Sequence, residues 1–402
     1  MNAPVYLDNN ATTRVDPAVL AEMLPFFTEL FGNPSSMHHY AAGVAEAVQL
    51  ARRQVQSLLG AKHDSEIIFT SCGTEANNTA LYSALAANPG RREIITSVVE
   101  HPAILAVCEH LEKNEGVTVH RIPVDAKGRL EIGAYQAALS DKVAIVSFMS
   151  ANNETGTLFP VEELAVMAKE VGALFHTDAV QAVGKLPMNL ADSAIDMLSL
   201  SGHKLHAPKG VGALYLKRGT RFRPLLRGGH QERGRRAGTE NVTGIVGLGK
   251  AAELAQAAME HENTVVRTLR DRLQTGILQS ISHCFVTGDI EHRLPNTVNI
   301  AFEYIEGEAI LLLLSRAGIA ASSGSACTSG SLEPSHVMRA MNIPYTAAHG
   351  STRFSLSRDT TDADVDRVLA VMPEIIARLR QLSPYWGKDG PKATPDFAPA
   401  YA

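Results

Sequence analysis

Along the first half of the chain, short apolar runs alternate with longer stretches whose apolar positions recur at helical spacing. "EIIFT" leads into "TEANNTALYSALAA", and "REIITSVV", "KVAIVSFM", "GALFHTDAV", "DMLSLSGHK" and "GVGALYLKR" follow in turn. Runs of this length, separated by helix-length segments, predict a mainly parallel sheet covered by helices, an α/β fold. In such a sheet the chemistry gathers beyond the carboxyl ends of the strands. Between about Gly247 and Ile281 the pattern becomes one long, charged helix with heptad-like apolar spacing, a bridge between two domains. Beyond it, "TVNIAFEY", "EAILLLLSRAG" and "STRFSLSR" predict a smaller α+β domain. The tail from Ser383 is rich in Pro, Gly and polar residues and is expected to be an extended or disordered appendage.

Composition narrows the partners. With 402 residues, 45% of them apolar, the chain can bury a large core in two or more domains. A net charge of −5 and an aromatic content of 5% argue against nucleic acid, single-stranded or double, and against an anionic membrane. The amino terminus lacks a basic stretch followed by an apolar one, and the most apolar segment, near 308–321, is too short to span a bilayer. Cys72, Cys108, Cys284 and Cys327 are widely separated, so a disulfide framework is not expected and a cytoplasmic location is.

Several strand ends carry chemistry. Lys204 follows the run "DMLSLSGH" at a turn steered by Gly202, Pro208, Gly210 and Gly212, with Lys209 as a competing amine. Asp178 and Gln181 follow the run "GALFHT". A lysine and an aspartate at neighbouring strand ends suit pyridoxal 5'-phosphate: the amine takes the aldehyde and the carboxylate keeps the ring nitrogen protonated. Gly73 and Thr74 open a helix directly after a strand, where free N–H groups and the helix dipole favour a phosphate. His101 precedes Pro102, Asn153 lies in "ANNETG", and Arg353 has the planar fork that suits a substrate carboxylate, although a sheet-edge ion pair is its plainer use. The basic stretch "LLRGGHQERGRRAGTEN" lacks interleaved aromatics and is expected to shape the cofactor site at a dimer interface.

The motifs "YLDNNATT", "SCGTEANN", "EHPA", "ANNETGT", "HTDAVQA", "SGHKLHAPKG", "RAGTEN" and "SSGSACTSG" occur in the order found in the pyridoxal-phosphate cysteine desulfurases. From about Tyr6 to about Trp386 the chain resembles their NifS type, which supplies sulfur to the iron–sulfur clusters of nitrogenase. The resemblance implies a fold-type I homodimer with a seven-stranded sheet in the large domain. It implies domains of residues 15–262 and 263–402, with residues 1–14 joining the smaller. Lys204 would be the Schiff-base lysine, Asp178 the pyridinium partner and Gln181 the donor to the ring hydroxyl. Gly73, Thr74, Ser201, Gly202 and His203 would surround the phosphate, joined by Thr239 from the other subunit. His101 would stack on the ring, and Asn153 and Arg353 would meet the substrate carboxylate.

Cys327 would accept the sulfur of L-cysteine as a persulfide, leaving L-alanine. It would then pass the sulfur to an iron–sulfur scaffold protein, with the persulfide as a transient cluster ligand shared with that scaffold. Its small neighbours make physical sense of this. About five flexible residues on either side give a reach of roughly 12 Å, enough to serve both a pocket and an external acceptor. A general cluster-assembly desulfurase, a selenocysteine lyase or an aminotransferase of the same fold share the lysine and aspartate, and a non-catalytic cluster carrier is the alternative of another class.

Overall fold

The structure is a computed structural model that describes residues 4–323, 334–388 and 390–392. Cys327 and the final ten positions lie outside the described residues. In chain order the strands are β1 (Val5–Tyr6), β2 (Ile67–Thr70), β3 (Glu93–Ser97), β4 (Thr118–Ile122), β5 (Val143–Met149), β6 (Leu174–Asp178), β7 (Met197–Ser201), β8 (Gly212–Leu216), β9 (Cys284–Thr287), β10 (Thr297–Phe302), β11 (Ile319–Ala320) and β12 (Ser351–Ser355).

β2 to β8 form a seven-stranded sheet in the order β2-β8-β7-β6-β5-β3-β4. Only β8 runs against its neighbours, so the expected mainly parallel sheet is what forms. β2, β5, β7 and β8 are buried at every position, which is why β2, β5 and β8 read as largely apolar runs without alternation, while β7 buries Ser199 and Ser201 beside its leucines. Tyr135, Phe148, Phe159 and Phe175 interlock on one face. Ala76, Ala80 and Ala84 bring the helix Gly73–Ala87 close against the other. β4 was not evident as an apolar run: it is an edge strand whose burial alternates, with Thr118 and Arg121 exposed.

A separate apolar core joins the helices Arg267–Ser280 and Asp362–Leu382 to β10 and β12. Val5 and Leu7 belong to it, because β1 pairs with β11. The long helix forms in pieces. Val242–Ala257 and Arg267–Ser280 are joined through Met259–His261 and a π turn, Glu262–Val266. At that turn Asn263 Nδ2 donates to the carbonyls of Lys185 and Met259.

The described part of the tail, residues 383–388 and 390–392, is more ordered than expected. Trp386–Gly387 pairs with Gly390–Pro391, and Trp386 packs under the Arg380 guanidinium, 4.3 Å from the ring centre. An aromatic ring with a cation to cover it orders a segment whose composition alone suggests disorder.

Candidate active site

A cavity of about 350 Å³ opens where β5, β6 and β7 end and the helix Gly73–Ala87 begins. Lys204 closes a single 3₁₀ turn after β7, and its Nζ donates to the carbonyl of Asn10 and, at 2.7 Å, to that of Ala11. Lys209 is exposed and does not line the cavity, so of the competing amines Lys204 is the one brought to it.

Asp178 ends β6 and faces the same space. Asn77 Nδ2 donates to its Oδ2 at 2.6 Å, and the Val180 N–H to its Oδ1 at 3.0 Å, which fixes the carboxylate plane. Gln181 Nε2 donates to the Asn10 carbonyl at 3.0 Å, while its buried Oε1 has no partner among the described residues.

Gly73 and Thr74 line the cavity at the helix start. A Cβ on Gly73 would stand 2.8 Å from Val180 Cγ2, so the close approach of helix to strand end needs glycine. Ser201 and His203 complete this side. Thr12 Oγ1 lies 3.1 Å from His203 Nδ1. Burial, helped by Lys204 and Lys209, pushes His203 down to about 4, so it is neutral at physiological pH. Gly202 is buried beneath the wall, its N–H given to the Val211 carbonyl, and does not line the cavity. Thr239 is exposed and also lies off the wall of its own chain's cavity.

His101 caps the helix Pro102–Glu115, and its Nδ1 accepts the Ala103 N–H at 3.1 Å. Burial, helped by the proximity of Lys204 and His336, holds it below its ordinary value against the pull of Asp178. The neutral ring therefore carries its proton on Nε2 and can offer a donor rather than a lone pair.

Asn153 belongs to a tight turn that Asn152 builds, its Oδ1 accepting the N–H groups of Glu154 and Thr155, with Gly156 at φ 80°. Arg353, at the cavity from β12, donates to the Asn153 carbonyl and pairs with Asp8, each at 2.7 Å. The expected ion pair is therefore present, and the residue that makes it also lines the cavity.

The segment carrying Cys327 is anchored at both described ends. Ser322 exchanges backbone hydrogen bonds with Arg353. On the other side Ser335 Oγ donates to Glu154 Oε2 at 2.6 Å, and His336 Nε2 lies 3.0 Å from the Glu100 carbonyl. Burial raises Glu154, against the opposing pull of Ser335, His336 and Arg353.

Several contributors had no assigned role from sequence: Asn10, Asn77, Glu154 and Cys72, a half-buried residue of the cavity lining. Asn77 left a signal, since an asparagine on the buried face of a helix needs a side-chain partner.

An amine, an oriented carboxylate, a helix N-terminus and a space of this volume fit a small phosphorylated aldehyde cofactor. The chain belongs to the class-V aminotransferase family, which it matches over residues 5–368 and whose enzymes depend on pyridoxal 5'-phosphate. Within the family its likeness is to cysteine desulfurases. It is 69% identical to the cysteine desulfurase of Gluconacetobacter diazotrophicus, over all of both chains. To the cysteine desulfurase NifS of Azotobacter vinelandii it is 67% identical, over 99% of this chain and 100% of that one. Among solved structures a NifS-like protein superposes with a TM-score of 0.87 at 38% identity, covering 94% of this chain and 100% of the other.

Proposed function

We propose that the protein is a pyridoxal-phosphate-dependent cysteine desulfurase that converts L-cysteine to L-alanine and leaves the sulfur on Cys327 as a persulfide. The observation that carries this reading is a conjunction: Lys204 and Asp178 share one cavity, and of the described stems of the Cys327 segment Ser322 is bonded to Arg353 on its wall and Ser335 to Glu154, the neighbour of the wall residue Asn153. The first half of it suits every enzyme of the family; the second favours sulfur transfer.

Pyridoxal 5'-phosphate, when bound, supplies the electron sink that weakens bonds at the substrate's carbons. Lys204 would hold its aldehyde and then move the proton from the substrate Cα. Asp178, oriented by Asn77, would keep the ring nitrogen protonated, with Gln181 beside the ring hydroxyl. Gly73, Thr74, Ser201 and His203 would bind the phosphate, with Gly202 shaping the turn beneath it. Arg353 and Asn153 would receive the substrate carboxylate. The Cys327 thiolate attacks the substrate sulfur: the S–S bond forms as the C–S bond breaks, and that bond's electron pair stays on carbon, which takes up a proton to become the alanine methyl. His101, offering Nε2–H, suits the role of proton donor.

Thr239, exposed and off its own cavity, would serve the cavity of a second copy. A homodimer is further supported by a succession of exposed apolar side chains, including Leu20, Leu24, Phe27, Phe31 and Tyr40. Residues 15–262 would form the large domain and residues 263–402 the small one, with residues 1–14 packed on the latter. The sulfur would pass to an iron–sulfur scaffold protein, the Cys327 persulfide serving transiently as a shared cluster ligand, with nitrogenase clusters as its destination. No helix among the described residues is long and apolar enough to cross a membrane. Chemistry on free thiols favours the reducing cytoplasm.

The test is an alanine and sulfide assay with L-cysteine and a reductant, run on wild type and Cys327→Ala. Alanine and sulfide in equal amounts from wild type, and neither from the variant, are expected. Wild-type protein that binds the cofactor yet yields no alanine would move the reading to another reaction of the family.

A further inference from the structure

Glu75 stands in the first turn of the helix Gly73–Ala87, the turn that also presents Gly73 and Thr74 to the cavity. A carboxylate at that position uses the positive end of the helix dipole, and so would a dianion in the cavity. Two negative groups on one dipole end repel each other. Neither Glu75 nor its partner lines the cavity.

That partner is Arg236. Its Nε donates to Glu75 Oε1 at 2.8 Å and its Nη2 to Oε2 at 3.1 Å, a two-pronged pair with little solvent exposure. Glu75 Oε2 also accepts the Ser71 N–H at 2.8 Å, tying the carboxylate to the entry of the turn. Burial pushes the Glu75 carboxyl up, but the bonds from Arg236 and Ser71 outweigh it and hold it below its ordinary value, so it is charged at neutral pH.

Arg236 is itself held in place. Just before it, Glu232 and Arg233 take left-handed φ angles of 48° and 59°, which side chains other than glycine adopt only when held. Arg52 does the holding, with two bonds of 2.7 Å to the Glu232 carboxylate. The same pair serves the outer edge of β2: Arg52 Nη1 donates to the Ile67 carbonyl at 2.7 Å, and Glu232 Oε2 accepts the Phe69 N–H at 3.2 Å. It thus replaces the neighbour that an edge strand lacks. From that anchor the chain reaches Arg236, beside the turn that follows β2.

We propose that Arg236 is a positioning residue for the phosphate cradle, neutralising Glu75 so that the helix end stays open to a dianion. The inference rests on reading the cavity as the pyridoxal-phosphate site. Its signature is asymmetric. Losing the arginine leaves a bare carboxylate beside the phosphate, whereas losing the carboxylate removes the conflict. A merely structural ion pair would suffer alike from either loss.

The experiment titrates cofactor-free protein with pyridoxal 5'-phosphate and, separately, with pyridoxal, following bound cofactor by absorbance. Arg236→Gln should weaken binding of the phosphorylated form by about tenfold or more, and Arg236→Lys by no more than about threefold. Glu75→Gln should not weaken it, and Glu75→Gln combined with Arg236→Gln should match Glu75→Gln alone. Pyridoxal binding should stay level throughout. The inference is overturned if Glu75→Gln binds as poorly as Arg236→Gln, if the double variant stays weak, or if pyridoxal loses the same factor. The pair Glu75→Gln and double variant remains readable should Arg236→Gln alone not fold. Wild type that binds pyridoxal as tightly as its phosphate ester would instead sink the assignment of the cradle, and the inference with it.

Discussion

Two neighbouring residues, Glu100 and His101, show how burial sets chemistry here. Glu100 is fully buried, and desolvation raises its carboxyl to about 8 from an ordinary 4.5, against the lowering effect of bonds from Ser97 and the Met149 N–H. Between those two values the folded protein carries a proton that the unfolded chain has lost, so stability falls as pH rises through the window. Glu100→Gln should therefore melt progressively higher than wild type as pH goes from 5 to 8, by an amount on the order of a few kcal/mol at the upper end. Parallel melting curves at both pH values would refute this. Lys204→Ala should abolish turnover and the borohydride-stable cofactor adduct, checked by intact mass; an adduct that persists would point to Lys209. At this scale the sequence was informative where a residue's chemistry is unusual. Lys204, Asp178 and His101 each have ordinary structural uses alone and stand out only together, because an amine and a carboxylate at neighbouring strand ends suit one cofactor. Glu154 lies in the marked strand-end stretch "ANNETG", but its bond to Ser335, like that of Asn10 to Lys204, joins residues far apart in the chain, which local spacing does not encode.

At the scale of elements, the runs buried on both faces were legible as strands. The edge strand β4 was not, because only two of its five positions, Val119 and Ile122, are apolar, and the π turn at 262–266 has no periodic signature of its own. The helix after the Cys327 segment begins at His336, and Ser335 caps it, accepting the Val337 N–H while donating to Glu154. That double use makes a prediction. Glu154→Ala strips Ser335 of its buried acceptor and should lower stability by about 1–3 kcal/mol in denaturant titration. It should also slow persulfide formation on Cys327, measured by thiol labelling and mass, more than it weakens cysteine binding. Glu154→Gln, whose carbonyl can accept the same hydrogen bond, should stay near wild type on both measures. Equal losses in the two variants would mean that charge, not anchoring, is what Glu154 contributes.

For the whole molecule, the first ten or so residues matter out of proportion to their number. Val5 and Leu7 are buried in the core built by residues 266–376, the Asn9 N–H bonds to the Ser355 carbonyl, and Asn10 and Ala11 receive the Lys204 amine. Removing residues 1–14 should open that core to protease and abolish cofactor uptake together, tracked by limited proteolysis and visible absorbance. A truncated protein that resists protease and still turns yellow would show that the segment is dispensable. The resemblance implied that residues 1–14 join the smaller domain, but a two-residue strand has no pattern of its own, and its partner β11 lies more than three hundred positions away.

That pairing sets an order of events during synthesis. The strand made first meets its partner only after some three hundred further residues have been made. Until β11 and β12 exist, the beginning of the chain is held only by bonds to residues that precede them, such as Thr13 to the His203 carbonyl, so firm capture of the cofactor is expected late in synthesis.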